Sequence, residues 1–224
     1  MGTRGAVGFR IGGRDKVTDN HSSSYPSWLG VRVLEFLRDA APIQLADAAD
    51  KIQLVTEHER PTAAQLSECR NLTDSCMCSE MPNTWYELLG GVQGDFSAYT
   101  NGGLRYMTDG HEFLADSFFC EYAYIINLDS QRLEVYSGFN HDPKAPGRYA
   151  ALLDDKPLQR QMGRGVRGSP FFFGVRLIVE EELDKLRKLL QDPLAAAAIA
   201  DGWEKAIADI REAQKRRLNG DDPQ

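Results

Sequence analysis

Apolar and polar side chains alternate from the first residues of the chain. Val7, Phe9 and Ile11 fall on one side of an extended backbone and Gly8, Arg10 and Gly12 on the other, the two-residue period of a half-buried strand. Gly12-Gly13 suits a tight turn with positive φ, so a second strand is predicted to return through Val17. The period then changes. After Tyr25-Pro26, with proline suited to a first helical turn, Leu29, Val33, Phe36 and Leu37 recur at helical spacing. A second helix is predicted after Pro42, carrying Leu45, Ala49, Ile52 and Val55 on one face.

Residues 61–110 show no sustained period. Short helices are predicted at Ala63–Cys69 and Trp85–Leu89, and glycines 90, 91, 94, 102 and 103 divide the rest into turns. The segment reads as an irregular, mostly helical insertion. The strongest strand signal follows, at Glu121–Leu128. Tyr122, Tyr124, Ile126 and Leu128 share one face and Ala123 and Ile125 the other, and apolar residues on both faces mark a central strand. A short polar connection, Asp129-Ser130-Gln131, leads to Leu133–Tyr136 and completes a second hairpin.

The stretch from Asn140 to Ser169 is rich in proline and glycine and reads as loop, and Phe171–Val179 as a further central strand. Two helices are predicted to end the chain, with Leu183, Leu186 and Leu190 on the first and Ile199, Trp203, Ile207 and Ile210 on the second. No repeat and no long linker interrupts residues 1–218, which read as one domain, with 219–224 a frayed tail. The predicted class is α+β: a mixed or antiparallel sheet of hairpins, as one sheet or two stacked sheets, flanked by helices.

Composition narrows the function more than the fold. With 224 residues, 42% of them hydrophobic, the chain can bury a core without metal or disulfide staples. Its 33 acidic and 26 basic residues leave a net charge of −7, which argues against a duplex nucleic-acid partner and makes any anion site local. No apolar leader follows Met1, and the longest aliphatic stretches are too short to span a bilayer. Gly2 lacks the hydroxyl residue that myristoylation expects, since Ala6 stands there. A cytoplasmic protein with no membrane contact is expected, and its four cysteines are expected to be reduced.

The opening through Gly30 and the block Asp116–Gly138 carry a pattern. Gly2-Thr3-Arg4-Gly5, Gly8-Phe9-Arg10, Asp15-Lys16, Asn20-His21, Ser24-Tyr25-Pro26, Leu29-Gly30 and Asp116–Tyr136 resemble a family of small uncharacterised bacterial and phage proteins. The resemblance covers about a quarter of the chain and implies a bacterial or phage origin without an activity. In that family an aromatic and an acidic residue often stand at the places of Asp19 and Ser23. A function carried by that acid would be lost here.

Three candidate sites emerge. A hairpin opening at residue 2 or 3 is similar in layout to the N-terminal nucleophile hydrolases, where a terminal Thr, Ser or Cys attacks an amide. Thr3 is the matching hydroxyl, and it would need Gly2 removed to become terminal. The alternative function is therefore an amide hydrolase or an inactive relative. The second candidate is Asn20, His21, Ser24 and Tyr25, ahead of a helix start and joined by Arg4 and Arg10; these groups suit a small anion, and equally a plain capping loop. The third is the glycine/arginine loop with Arg164 and Arg167, whose spacing matches neither a Walker loop nor a dinucleotide fingerprint.

Cys69, Cys76 and Cys78 with His58 upstream lack the paired C-x2-C spacing of zinc sites, and no metal or cofactor is expected. The best functional expectation is a binding protein for a small anionic, phosphate-bearing ligand or for a protein partner.

Overall fold

A computed structural model describes residues 2–69, 82–92, 94–130, 132–152 and 172–177. The leading hairpin forms as its alternation predicts: β1 (Gly5–Ile11) and β2 (Arg14–Asn20) pair antiparallel with Gly8 opposite Val17. Gly12 and Gly13 take φ of 57° and 74°, the doubly positive turn that matches strand twist and that a Cβ would strain. The Asp129 carboxylate accepts both turn N–H groups, from Gly12 at 2.7 Å and Gly13 at 2.9 Å. The tip of the first hairpin is thereby fastened to the turn of the second.

That second hairpin is β5 (Tyr122–Asn127) and β6 (Arg132–Ser137), antiparallel to each other. β5 also pairs with β1, in parallel, with Val7 opposite Tyr124. A short β7 (Arg176–Leu177) joins β6, giving the five-stranded order β2-β1-β5-β6-β7, a mixed sheet. The protein is α+β. Phe171 and residues 178–179 of the predicted last strand, the two C-terminal helices, and the frayed tail lie outside the described residues.

Both faces of β1 and β5 are covered, as apolar residues on both sides of β5 demand. On one face Val7, Phe9, Tyr124 and Ile126 pack against the helical layer. That layer begins with a π-helical turn at Pro26–Gly30 and continues as α1 (Val31–Asp39) and α2 (Pro42–Lys51). The predicted stripe holds: Leu29, Val33 and Leu37 are buried, and Phe36 stacks on Phe96 with ring centroids 5.4 Å apart. Phe9 is fully enclosed, a burial worth about 1.5–3 kcal/mol. On the other face Ala6, Val17, Ala123, Ile125 and Tyr136 meet Leu114, Tyr149 and Val175.

Two expectations are corrected. The second helix does not run on through Ile52 and Val55. It ends at Lys51, where the Lys16 ammonium donates to the carbonyls of Ala49 (2.7 Å), Asp50 (2.9 Å) and Ile52 (2.7 Å). A cation there satisfies carbonyls that helix continuation would otherwise use. Ile52 turns extended, and β3 (Gln53–Val55) pairs in parallel with β4 (Tyr106–Thr108).

The second correction is β4 itself, which contributes the fully buried Met107 from within the supposed helical insertion. Among its described residues the insertion otherwise holds α3 (Ala63–Cys69), α4 (Trp85–Leu89) and α5 (Ser97–Thr100). Reciprocal bonds between Thr62 and Gln65 start α3, with the Thr62 N–H donating to Oε1 at 2.8 Å and the Gln65 N–H to the Thr62 hydroxyl at 3.3 Å.

Candidate functional site

Alternation along β2 puts Asp19 and His21 on the same side, and antiparallel pairing, with Gly5 opposite Asn20, brings the start of β1 beside them. The result is a polar corner at one end of the sheet. Arg4 Nη2 lies 3.8 Å and His21 Nε2 3.4 Å from the same oxygen, Asp19 Oδ2. Gly110 donates its N–H to the Val17 carbonyl at 2.7 Å, which draws the following turn (His111–Ala115) against β2. Phe113 in that turn lies under the Arg4 guanidinium at 4.7 Å, and Tyr86 of α4 meets the His21 ring edge-on at 5.3 Å.

Two atoms of this corner stand out. Arg4 Nε and His21 Nε2 are each buried and have no hydrogen-bond partner, although the side chains that carry them are 41% and 35% exposed. Native structures leave few buried donors unpaired, so such atoms ask for an acceptor. Beside them, burial pushes the Glu121 carboxyl up, opposed in part by hydrogen bonding with the Arg4 backbone. Burial likewise raises the Cys120 thiol, with the carboxylate of Asp116 adding to it.

The other candidates sit as follows. Thr3 is 2% exposed, and its carbonyl accepts the Ser24 N–H at 3.1 Å. Asn20 Nδ2 donates to the Ser24 hydroxyl at 2.7 Å, and the Tyr124 hydroxyl donates to the Ser24 carbonyl at 3.1 Å. Asn20 and Ser24 therefore brace the loop that leads into the π-helical turn. Tyr25 is exposed, with its ring 6.0 Å from that of Tyr122. Arg10 is at the far end of β1, about 20 Å along the strand from Arg4, where it binds Asp15 at 2.9 Å and lies 3.8 Å from Asp129. Arg164 and Arg167 lie outside the described residues.

The chain matches no family model, no curated protein and no solved structure.

Sequence reasoning missed a second polar cluster on the same face of the sheet. Arg148 holds Asp15 and Glu134, donates to the Tyr136 hydroxyl at 3.0 Å and lies 4.5 Å from the centre of the Tyr149 ring. Asn127 donates to the free Glu134 oxygen at 2.7 Å, and the Tyr136 hydroxyl donates to the other at 2.9 Å. Burial raises Asp15, but hydrogen bonds from Arg148 and Arg10 outweigh it and hold the carboxyl below its ordinary value. Burial works against the charged Arg148, but its bond to Asp15 together with the Tyr149, Tyr136 and Glu134 side chains outweighs burial and raises it. Both carboxylates are satisfied within the cluster, so it acts as a clasp that fastens the Asp142–Ala151 segment to the sheet.

Among the described residues no group of three or more His, Cys, Asp or Glu side chains is placed to hold a metal ion, and no helix is long and apolar enough to cross a membrane. Cys69 and Cys120 are buried and not disulfide-bonded; burial, reinforced by Glu68, pushes the Cys69 thiol up to about 11. Cys76 and Cys78 lie outside the described residues.

Proposed function

We propose that this chain is a binding protein for a small anionic, phosphate-bearing ligand, with Arg4 and His21 as its donors. One observation carries the reading: two buried nitrogens, Arg4 Nε and His21 Nε2, make no hydrogen bond among the described residues, and the carboxylate beside them, Asp19, stands 3.8 Å from Arg4 Nη2 and 3.4 Å from His21 Nε2 without closing one. A buried polar group left unpaired costs about 1–3 kcal/mol, and an oxyanion between the two would recover it through charge-assisted bonds. Asp19 holds the two donors together in the ligand's absence. Phe113 and Tyr86 wall the corner on two sides and leave its Arg4 and His21 side chains partly open to an incoming ligand.

The two blocks of the bacterial and phage pattern adjoin here, since the Glu121 N–H from the second donates to the carbonyl of Arg4 from the first at 3.0 Å. This supports reading that pattern as the mark of a shared binding site. The amide-hydrolase alternative needs the Thr3 hydroxyl within reach of a substrate, and the Thr3 side chain is enclosed. No observation favours it over binding.

Thermal melting against inorganic phosphate, pyrophosphate and a nucleotide panel tests the proposal. At least one anion should raise the melting temperature. Arg4→Ala and His21→Ala should each weaken that ligand by about 10-fold or more, the worth of one charge-assisted bond, with the melting of the free protein unchanged. If no anion shifts melting, or both variants keep the full shift, the proposal is wrong.

A further inference from the structure

A cavity of about 380 Å³ opens between the end of α3 and the start of β4, lined by Glu68, Cys69, Gly103, Leu104, Arg105 and Tyr106. Among the described residues it holds one carboxylate and one guanidinium. Opposite charges that share a small cavity normally close into an ion pair, yet Glu68 and Arg105 do not. Glu68 instead accepts the Tyr106 hydroxyl at 2.8 Å, and among the described residues Arg105 has no side-chain partner. The Tyr106 bond fixes one oxygen of Glu68, and among the described residues no donor meets the other.

We propose that this cavity takes a small zwitterion, a molecule of the free amino-acid class, with its ammonium on Glu68 and its carboxylate on Arg105. A guanidinium presents two parallel N–H groups to a carboxylate, and a carboxylate accepts from an ammonium, so each end of such a ligand meets its complement. Between them the wall is uncharged: Leu104 is buried, and the Cys69 thiol stays protonated at neutral pH. That wall suits the carbon part of the ligand. A second cavity of about 250 Å³ shares Gly103, Leu104 and Arg105, and its far wall includes Tyr99, Thr100 and the Asp47–Lys51 ion pair, which leaves room for a polar side chain beyond the shared arginine. Both charged groups face water, so affinity is on the order of millimolar.

The site is separate from the Arg4 corner, and its test is independent. Amide spectra of the 15N-labelled full chain are titrated with L-alanine, with acetate and with methylammonium. L-Alanine should shift the Arg105 and Tyr106 resonances and bind at least 10-fold more tightly than either half-ligand. Glu68→Gln and Arg105→Gln, both surface changes, should each weaken L-alanine 10-fold or more, while Arg4→Ala leaves it unchanged. The proposal fails if L-alanine binds no better than acetate, or if neither cavity variant alters its affinity. Loss of L-alanine binding in Arg4→Ala would also overturn it.

Discussion

Arg148 grips Asp15 with two parallel bonds, Nη2 to Oδ1 at 3.0 Å and Nε to Oδ2 at 3.3 Å, across 133 residues of chain. The same guanidinium reaches Glu134, so one cation neutralises two half-buried carboxylates. Removing it leaves both without that counter-charge. Arg148→Met should cost about 3 kcal/mol, the order expected when one partner of a buried pair is deleted, read as a lowered midpoint in urea. Arg148→Lys should recover only part of this, because an ammonium cannot match the fork. A loss below about 0.5 kcal/mol would mean that water already screens the cluster.

The same cluster sets an acid limit. Asp15 is held below its ordinary 3.8 in the folded protein, so its contribution is complete above that value and is lost as pH falls through the lower folded value. Between pH 5 and pH 2 the wild type should lose more stability than Asp15→Asn, which has no such proton to gain. Parallel urea curves for the two proteins across that range check this, and identical pH slopes would refute it.

Lys16 ends α2 by donating to three carbonyls, and no other described side chain donates to them. Lys16→Met keeps the aliphatic stem and removes the donors. A cost of about 1–2 kcal/mol is expected. Faster hydrogen exchange should appear in the last turn of α2 and in β3. Unchanged exchange there would assign the end of the helix to β3–β4 pairing alone.

Gly8 tests how tightly β1 is enclosed. A Cβ at this position would stand 2.3 Å from the Lys16 carbonyl oxygen and 2.8 Å from the Val17 Cα, both backbone atoms. Gly8→Ala must therefore part the hairpin, and overpacking of about 1–3 kcal/mol is the least it should cost. A melting temperature equal to the wild type would show that β2 yields freely.

The strands were legible where alternation is sustained. Val7, Phe9 and Ile11 announce β1, and apolar residues on both faces of Tyr122–Leu128 announce a central strand with a layer on each side. Ile52 and Val55 misled because they continue the spacing of α2, while the groups that stop the helix belong to Lys16 and to β4, remote in sequence. β4 was hidden because Tyr106-Met107-Thr108 is too short to show a period and is buried throughout. At the candidate corner, Arg4 and His21 were visible as residue types. Their meeting at Asp19 was readable only from the two-residue period of β2, and Phe113 and Tyr86 gave no sequence signal. Arg148 was invisible as well, since nothing local links a loop arginine to Asp15.

The parallel pairing of β1 with β5 has a consequence for how the molecule is made. Gly5 finds Asn20 almost at once but lies beside Tyr122 only after most of the described chain has been synthesised. Until then the emerging hairpin carries Val7 and Phe9 on a ribbon whose β1 edge is also bare, open to wrong neighbours. Completion of the sheet is accordingly a late, long-range closure that sets the pace of folding, and a nascent chain halted before β5 leaves the ribosome as a substrate for chaperones.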